Sequence, residues 1–208
     1  MRNPGIQNRK RSGFSLLEAV LTMAIAGLVL GMAVPALGRW RDRAALQSAA
    51  ARLVREVRSL RLRALAHGFS YAMVFARQGA QWRYSLYRDG DGDGVRMADL
   101  LAGVDPKVEG PYAIGREIGP VDFGLPGPIP RIPPSSGQLD PADPVQLGAT
   151  DILSLSPLGT ATSGTLYLQG MEGRVIGAVV YGPTARVRLW IYNPATRGWT
   201  QSEGPGAL

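Results

Sequence analysis

Two features of the sequence have residue types and spacing that suggest chemistry. Asp89-Gly90-Asp91-Gly92-Asp93-Gly94 alternates carboxylates with glycine, as in the first half of a calcium-binding EF-hand loop. The second half of the pattern fails, because the twelfth position, which needs a bidentate Glu, is Leu100, with Asp99 one residue early. Two readings stand: a weak calcium site at Asp89, Asp91 and Asp93, or a Gly-rich acidic turn held by positive φ angles and local side-chain hydrogen bonds. The G-x-G-x-G spacing of Gly90, Gly92 and Gly94 is a poor dinucleotide loop, since carboxylates between the glycines would repel a phosphate. The second feature is Glu18, the one charge in the apolar run from Phe14 to Leu37. A carboxylate within hydrocarbon costs about 2.5–3.5 kcal/mol and is normally kept for a positive partner. With no cysteine, one histidine (His67, in an Arg-rich helical stretch) and no paired acid and base, the chain offers nothing from which to build a catalytic centre or a histidine or thiolate metal site.

These residues must be positioned by the elements around them. The run FSLLEAVLTMAIAGLVLGMAVPAL, residues 14–37, would form a helix of roughly 36 Å, long enough to span a bilayer. It is longer than the apolar region of a secretory signal peptide and passes into an amphipathic pattern, so it is expected to stay attached. Glu18 lies five residues inside the run, where it can either snorkel to the headgroups or pair with a positive group in the leader or on a neighbouring molecule. Charge is uneven along the chain. Arg2, Arg9, Lys10 and Arg11 precede Gly13, and eight arginines between Arg39 and Arg63 face only Asp42 and Glu56. Residues 64–208 carry eleven Lys/Arg against thirteen Asp/Glu, a net of −2, so the overall +7 does not describe a basic domain.

Arg9-Lys10-Arg11-Ser12-Gly13-Phe14-Ser15-Leu16-Leu17-Glu18 resembles the class III signal of type IV prepilins and type II secretion pseudopilins: a basic leader ending in Gly, then Phe, then Glu as the fifth mature residue. The resemblance implies cleavage between Gly13 and Phe14 by a prepilin peptidase and N-methylation of Phe14. It also implies a partner for Glu18, the new α-amino group of Phe14 on an adjacent subunit, in an ion pair that sets axial register during assembly. Gly13 suits the cleavage point physically, because it leaves the backbone flexible where a protease must grip an extended chain. Pro35 removes one helical hydrogen bond and marks either a kink at the membrane exit or, as in pilins, a point of local melting.

After Pro35, Leu46, Leu53, Val57, Leu60 and Ala64 form one apolar stripe, with Arg52, Arg55, Arg58 and Arg61 occupying much of the remaining surface. Those arginines read as a solvated face, or as contacts to acidic neighbours, anionic headgroups or nucleic acid. Gly68 ends the helix, and strand-type segments follow. They are residues 69–75 and 82–87, joined by the hairpin turn Arg77-Gln78-Gly79-Ala80, then 152–155, 165–168, 175–181 and 186–192. The expected fold is α+β: a leader (1–13), a membrane or filament-core helix (14–38), an amphipathic helix (39–67) and a β-rich domain (68–208) whose antiparallel sheet packs on the helix. Residues 119–148 hold eight of the sixteen prolines and read as a surface loop tolerant of insertions.

Leu155-Ser-Pro-Leu-Gly-Thr-Ala-Thr-Ser-Gly-Thr-Leu and Pro183-Thr-Ala-Arg-Val-Arg-Leu resemble the GspH and FimT-type minor pseudopilins, with Ala185 where that family has Gly before its Arg-x-Arg. The resemblance implies a structural subunit of a type II secretion pseudopilus or type IV pilus. Its partners would be other pilins, the prepilin peptidase, an assembly platform and membrane lipid. It would be anchored once in the inner membrane, with the C-terminal domain on the extracytoplasmic, periplasmic side. Some FimT-like proteins bind DNA, and Arg186 and Arg188 match the basic motif implied. Their alternation places both on one face of a strand, in reach of phosphates.

Overall fold

The computed structural model describes residues 15–202, except for the side chains of 32–36 and 39. Two compact units divide it, Met1–Trp40 and Arg41–Leu208. Helix α1, Leu16–His67, supplies the described part of the first and the opening element of the second. The Ser15 carbonyl accepts the first helical bonds, from the N–H groups of Glu18 (3.0 Å) and Ala19 (3.1 Å). At the other end Gly68 takes φ 74° and donates its N–H to Ala64 O at 3.0 Å. This left-handed C-cap explains the stop predicted there.

In the first unit the apolar side chains from Leu16 to Leu30 are exposed, Leu16 at 85% and Leu28 at 66%. Among the described residues no helix is long and apolar enough to cross a membrane. The expected span of 14–38 includes Phe14 and the side chains of 32–36, which lie outside the described residues, as do the leader and Gly13.

In the second unit the predicted stripe Leu46, Leu53, Val57, Leu60 and Ala64 is buried throughout, together with Ala49, Ala50 and Val54. It packs on antiparallel β-structure, so the fold is α+β in the expected pilin-like manner. The strands are β1 (Tyr71–Gln78), β2 (Gln81–Arg88), β3 (Lys107–Tyr112), β4 (Asp122–Phe123), β5 (Val145–Gln146), β6 (Ile152–Leu155), β7 (Gly164–Gln169), β8 (Val175–Tyr181), β9 (Arg186–Asn193) and β10 (Gly198–Gln201). A short helix α2, Met97–Ala102, precedes β3. The strands form two sheets where the sequence suggested one: β3-β2-β1-β6, and β10-β9-β8-β7-β4 with β5 also on β7. The β1–β2 hairpin is tighter than expected, since Gln78 pairs with Gln81 and only Gly79 and Ala80 turn.

The second sheet is buried on both faces. Leu166, Leu168, Ile176, Ala178, Val180 and Val187 join the helix in the main core. Tyr167, Val175 and Tyr192, on the opposite face, pack with Leu125, Ile129, Ile132 and Leu139. That double burial is why β8, VIGAVVY, reads as an unbroken apolar run rather than an alternating one. It also corrects the reading of residues 119–148. The segment is a loop by periodicity, yet it supplies two strands and covers the outer face of the sheet. Trp199 Nε1 donates to Pro130 O at 2.7 Å and pins it there. Gly177 admits it, because a Cβ at that position would lie 2.6 Å from Ile132 Cδ1.

Candidate functional site

Glu18 sits in the first turn of α1, exposed, with no ion-pair partner among the described residues. The neighbours proposed for it from sequence, Gly13 and Phe14, lie outside those residues.

The acidic turn is brought together as a cluster. One carboxylate oxygen each from Asp89, Asp91 and Asp93 lies within 4.8 Å of the others, close enough that the three could hold a metal ion. The same carboxylates also organise the backbone. Asp89, 2% exposed, accepts the N–H groups of Gly92 at 2.7 Å and Gly94 at 3.0 Å. Asp93 is paired with Arg96. Its carboxyl is held above the ordinary carboxylate range by lost hydration first and also by neighbouring Asp91, with Arg96 acting against the rise. Gly92 and Gly94 take φ of 93° and 95°, the left-handed conformations a turn of this kind requires. Leu100, where an EF-hand would place its last ligand, packs on the apolar cluster of Ala72, Val95 and Ile152.

The residue that closes this turn escaped sequence reasoning. Asp105, 1% exposed, accepts the N–H of Gly90 at 2.9 Å and of Arg96 at 3.2 Å, tying both ends of the segment together. Gly90 fits against the backbone at Val104 only because it lacks a Cβ, which would fall 2.0 Å from Val104 O. An aspartate before Pro106 was the only available signal, and it does not distinguish an internal cap from a surface turn.

Arg186 and Arg188 lie where their alternation placed them, both exposed on the outer face of β9, with Val187 buried between them on the inner face. Neither has an ion-pair partner among the described residues. They line a cavity of about 330 Å³ with Tyr181, Trp190, Ile132 and Pro133, so the Pro-rich segment forms one wall.

The arginines of α1 are more than a solvated face. Arg52 Nη1 donates to Arg116 O at 2.8 Å, Arg63 pairs with Glu109 at 2.7 Å, and Arg61 lies against Gly159. Arg55 and Arg58 are exposed. His67 shares a 2.8 Å hydrogen bond between Nδ1 and the Tyr71 hydroxyl.

Comparison with protein families decides what the N-terminal segment is. Residues 8–34 match the prokaryotic N-terminal methylation motif. The match supports a type IV pilin-like protein, a subunit of a pilus or pseudopilus that is processed by a prepilin peptidase and assembles with other pilins. It spans Gly13, Phe14 and Glu18, the three positions on which the prepilin resemblance was built. Comparisons with curated proteins and with solved structures gave no match.

Proposed function

We propose that this type IV pilin-like chain is a minor pseudopilin of GspH/FimT kind, a structural subunit rather than an enzyme. Anchored in the inner membrane by α1, it is cut between Gly13 and Phe14, methylated on Phe14, and placed at or near the tip of a filament. The observation that carries this reading is the methylation motif at residues 8–34, set on a helix whose apolar side chains from Leu16 to Leu30 are uncovered. In such a helix a lone carboxylate needs a cation, and the α-amino group of Phe14 on a neighbour supplies one. Glu18→Ala should leave processing and membrane insertion intact while incorporation into filaments falls. Normal incorporation of the variant would refute the ion pair.

A second reading, DNA capture, is favoured by one observation. Arg186 and Arg188 have no ion-pair partner among the described residues and lie beside Tyr181 and Trp190, and that mixture of guanidinium and aromatic groups suits phosphates and unstacked bases. Against it stands the net of −2 after residue 63, which provides no long-range attraction for a polyanion. A domain fragment should bind DNA weakly or not at all at physiological salt. A salt-sensitive gel shift lost on changing both arginines to Ala would establish the second reading instead.

A further inference from the structure

Arg43, at the start of the second unit, and Arg174, at the start of the β8 hairpin arm, line a cavity of about 250 Å³ with Gln47 and Tyr192. Arg43 has no ion pair among the described residues, and Arg174 makes one long ion pair, from Nε to Glu172 at 3.9 Å. Arg174 Nε is shielded from solvent and has no hydrogen-bond partner, so a strong donor is held dry without an acceptor. The preceding acidic residue, Asp42, makes no ion pair with either among the described residues: its Oδ1 accepts the Met171 N–H at 2.8 Å, and its Oδ2 is buried without a hydrogen-bond partner.

This charged mouth opens into an apolar cleft. Gln47, Ile176 and Ile191 line both the cavity and an adjoining one of about 440 Å³, which runs along α1 past Ala44, Ala51 and Leu189. Ile191 is 37% exposed there, an apolar strand residue left partly uncovered between helix and sheet. A polar end carrying two guanidiniums and a continuous apolar end describe an amphiphile with an anionic head. Arginine forks match phosphate geometry, and basic pockets next to membrane segments select anionic headgroups. Arg43 follows the last residue of the apolar run, Leu37, by six positions in sequence.

We propose that this cleft holds an anionic phospholipid, its phosphate on Arg43 and Arg174 and part of an acyl chain along Ala44, Ala51, Ile176 and Ile191. The inference rests on the reading of the chain as a membrane-anchored subunit. Bound lipid would fill the gap between α1 and the sheet and couple the domain to the anionic lipid content of the membrane.

The test uses the full chain, extracted in detergent from vesicles of phosphatidylcholine with and without phosphatidylglycerol, with retained lipid identified by native mass spectrometry. Wild type should retain phosphatidylglycerol in preference to phosphatidylcholine. Arg43→Gln with Arg174→Gln should lower retained phosphatidylglycerol about tenfold or more. Ala51→Trp, which blocks the cleft and leaves both charges, should do likewise, whereas Arg55→Gln should change nothing. Circular dichroism verifies that each variant is folded. Equal retention in wild type and the double variant, or no preference between the two lipids, overturns the proposal. Displacement of phosphatidylglycerol by inorganic phosphate alone also overturns it and makes the site one for free phosphate. Vesicle flotation is scored separately: a chain that does not float refutes the membrane-anchored reading, and retention from phosphatidylglycerol-doped micelles still decides the site.

Discussion

Asp105→Ala tests whether the Asp-Gly repeat is a structural turn with an internal cap. The wild-type carboxylate is 1% exposed and accepts two backbone N–H groups, from Gly90 at 2.9 Å and Arg96 at 3.2 Å. Hydrogen bonds to a charged group contribute about 1.5–3 kcal/mol each, and a buried donor left without its acceptor adds a desolvation cost. Gly90 and Arg96 are both exposed, so water can replace part of each lost bond. The expected loss is therefore about 3 kcal/mol, toward the low end of two full bonds. Asp105→Asn keeps one acceptor oxygen and should cost about half as much. Asp91→Ala removes only a 3.4 Å contact to the Asp93 N–H on an exposed tip and should cost under about 0.5 kcal/mol. Urea unfolding of the unit from Arg41 onward, followed by the fluorescence of Trp82, Trp190 and Trp199, provides the midpoints, and an unchanged slope shows that stability alone has moved. A domain indifferent to Asp105→Ala, or equally sensitive to Asp91→Ala, would refute the reasoning.

Burial is the leading cause of the raised Asp122 carboxyl pKa, opposed by the N–H groups of Phe123 and Trp82 and by Arg77 and Arg83. The folded state thus holds the Asp122 proton at higher pH than the unfolded chain does. Its contribution to stability grows as pH falls through the folded pKa toward the ordinary carboxylate range near 4. Asp122→Asn should flatten that rise in pH-dependent unfolding, leaving the same-signed parts from Asp143 and Asp151. A short Gly-Ser insertion after Ser136, at an exposed tip, should leave the unfolding midpoint unchanged, whereas one after Pro130 should lower it by the equivalent of about 2 kcal/mol or more, since it displaces buried Ile129 and Ile132. Trp199→Phe, which keeps one aromatic ring but loses the bond to Pro130 O and part of the packing on Tyr167 and Tyr192, should cost about 1 kcal/mol or more by the same assay.

Much of the fold was legible because it is periodic. The stripe from Leu46 to Ala64 follows from helical spacing, and the stop at Gly68 and the strands expected at 152–155, 175–181 and 186–192 follow from alternating or apolar runs bounded by glycine or proline. The second core layer was hidden by its irregularity. Ile129, Ile132 and Leu139 are separated by prolines, obey no period, and reach the sheet through loop geometry that sequence spacing does not encode. Two-residue strands such as β4 and β5 have no pattern to find, since they exist only by pairing with β7. At the sites, the common face of Arg186 and Arg188 was foreseeable from alternation, but the wall that Ile132 and Pro133 raise beside them was not. The carboxylates of the turn were easily found, and their buried organiser, Asp105, was not, because its role depends on a loop residue just before β3 that is brought back from fifteen residues away.

The central claim, that this chain is a pilin-like precursor matured at its N-terminus, is tested most directly by N-terminal sequencing and intact mass of the full chain coexpressed with a prepilin peptidase. Residues 1–13 should be removed and the new N-terminus should be a methylated Phe14, with Gly13→Val blocking both changes. A product that keeps its leader, or is cut at any bond other than Gly13–Phe14, would contradict it.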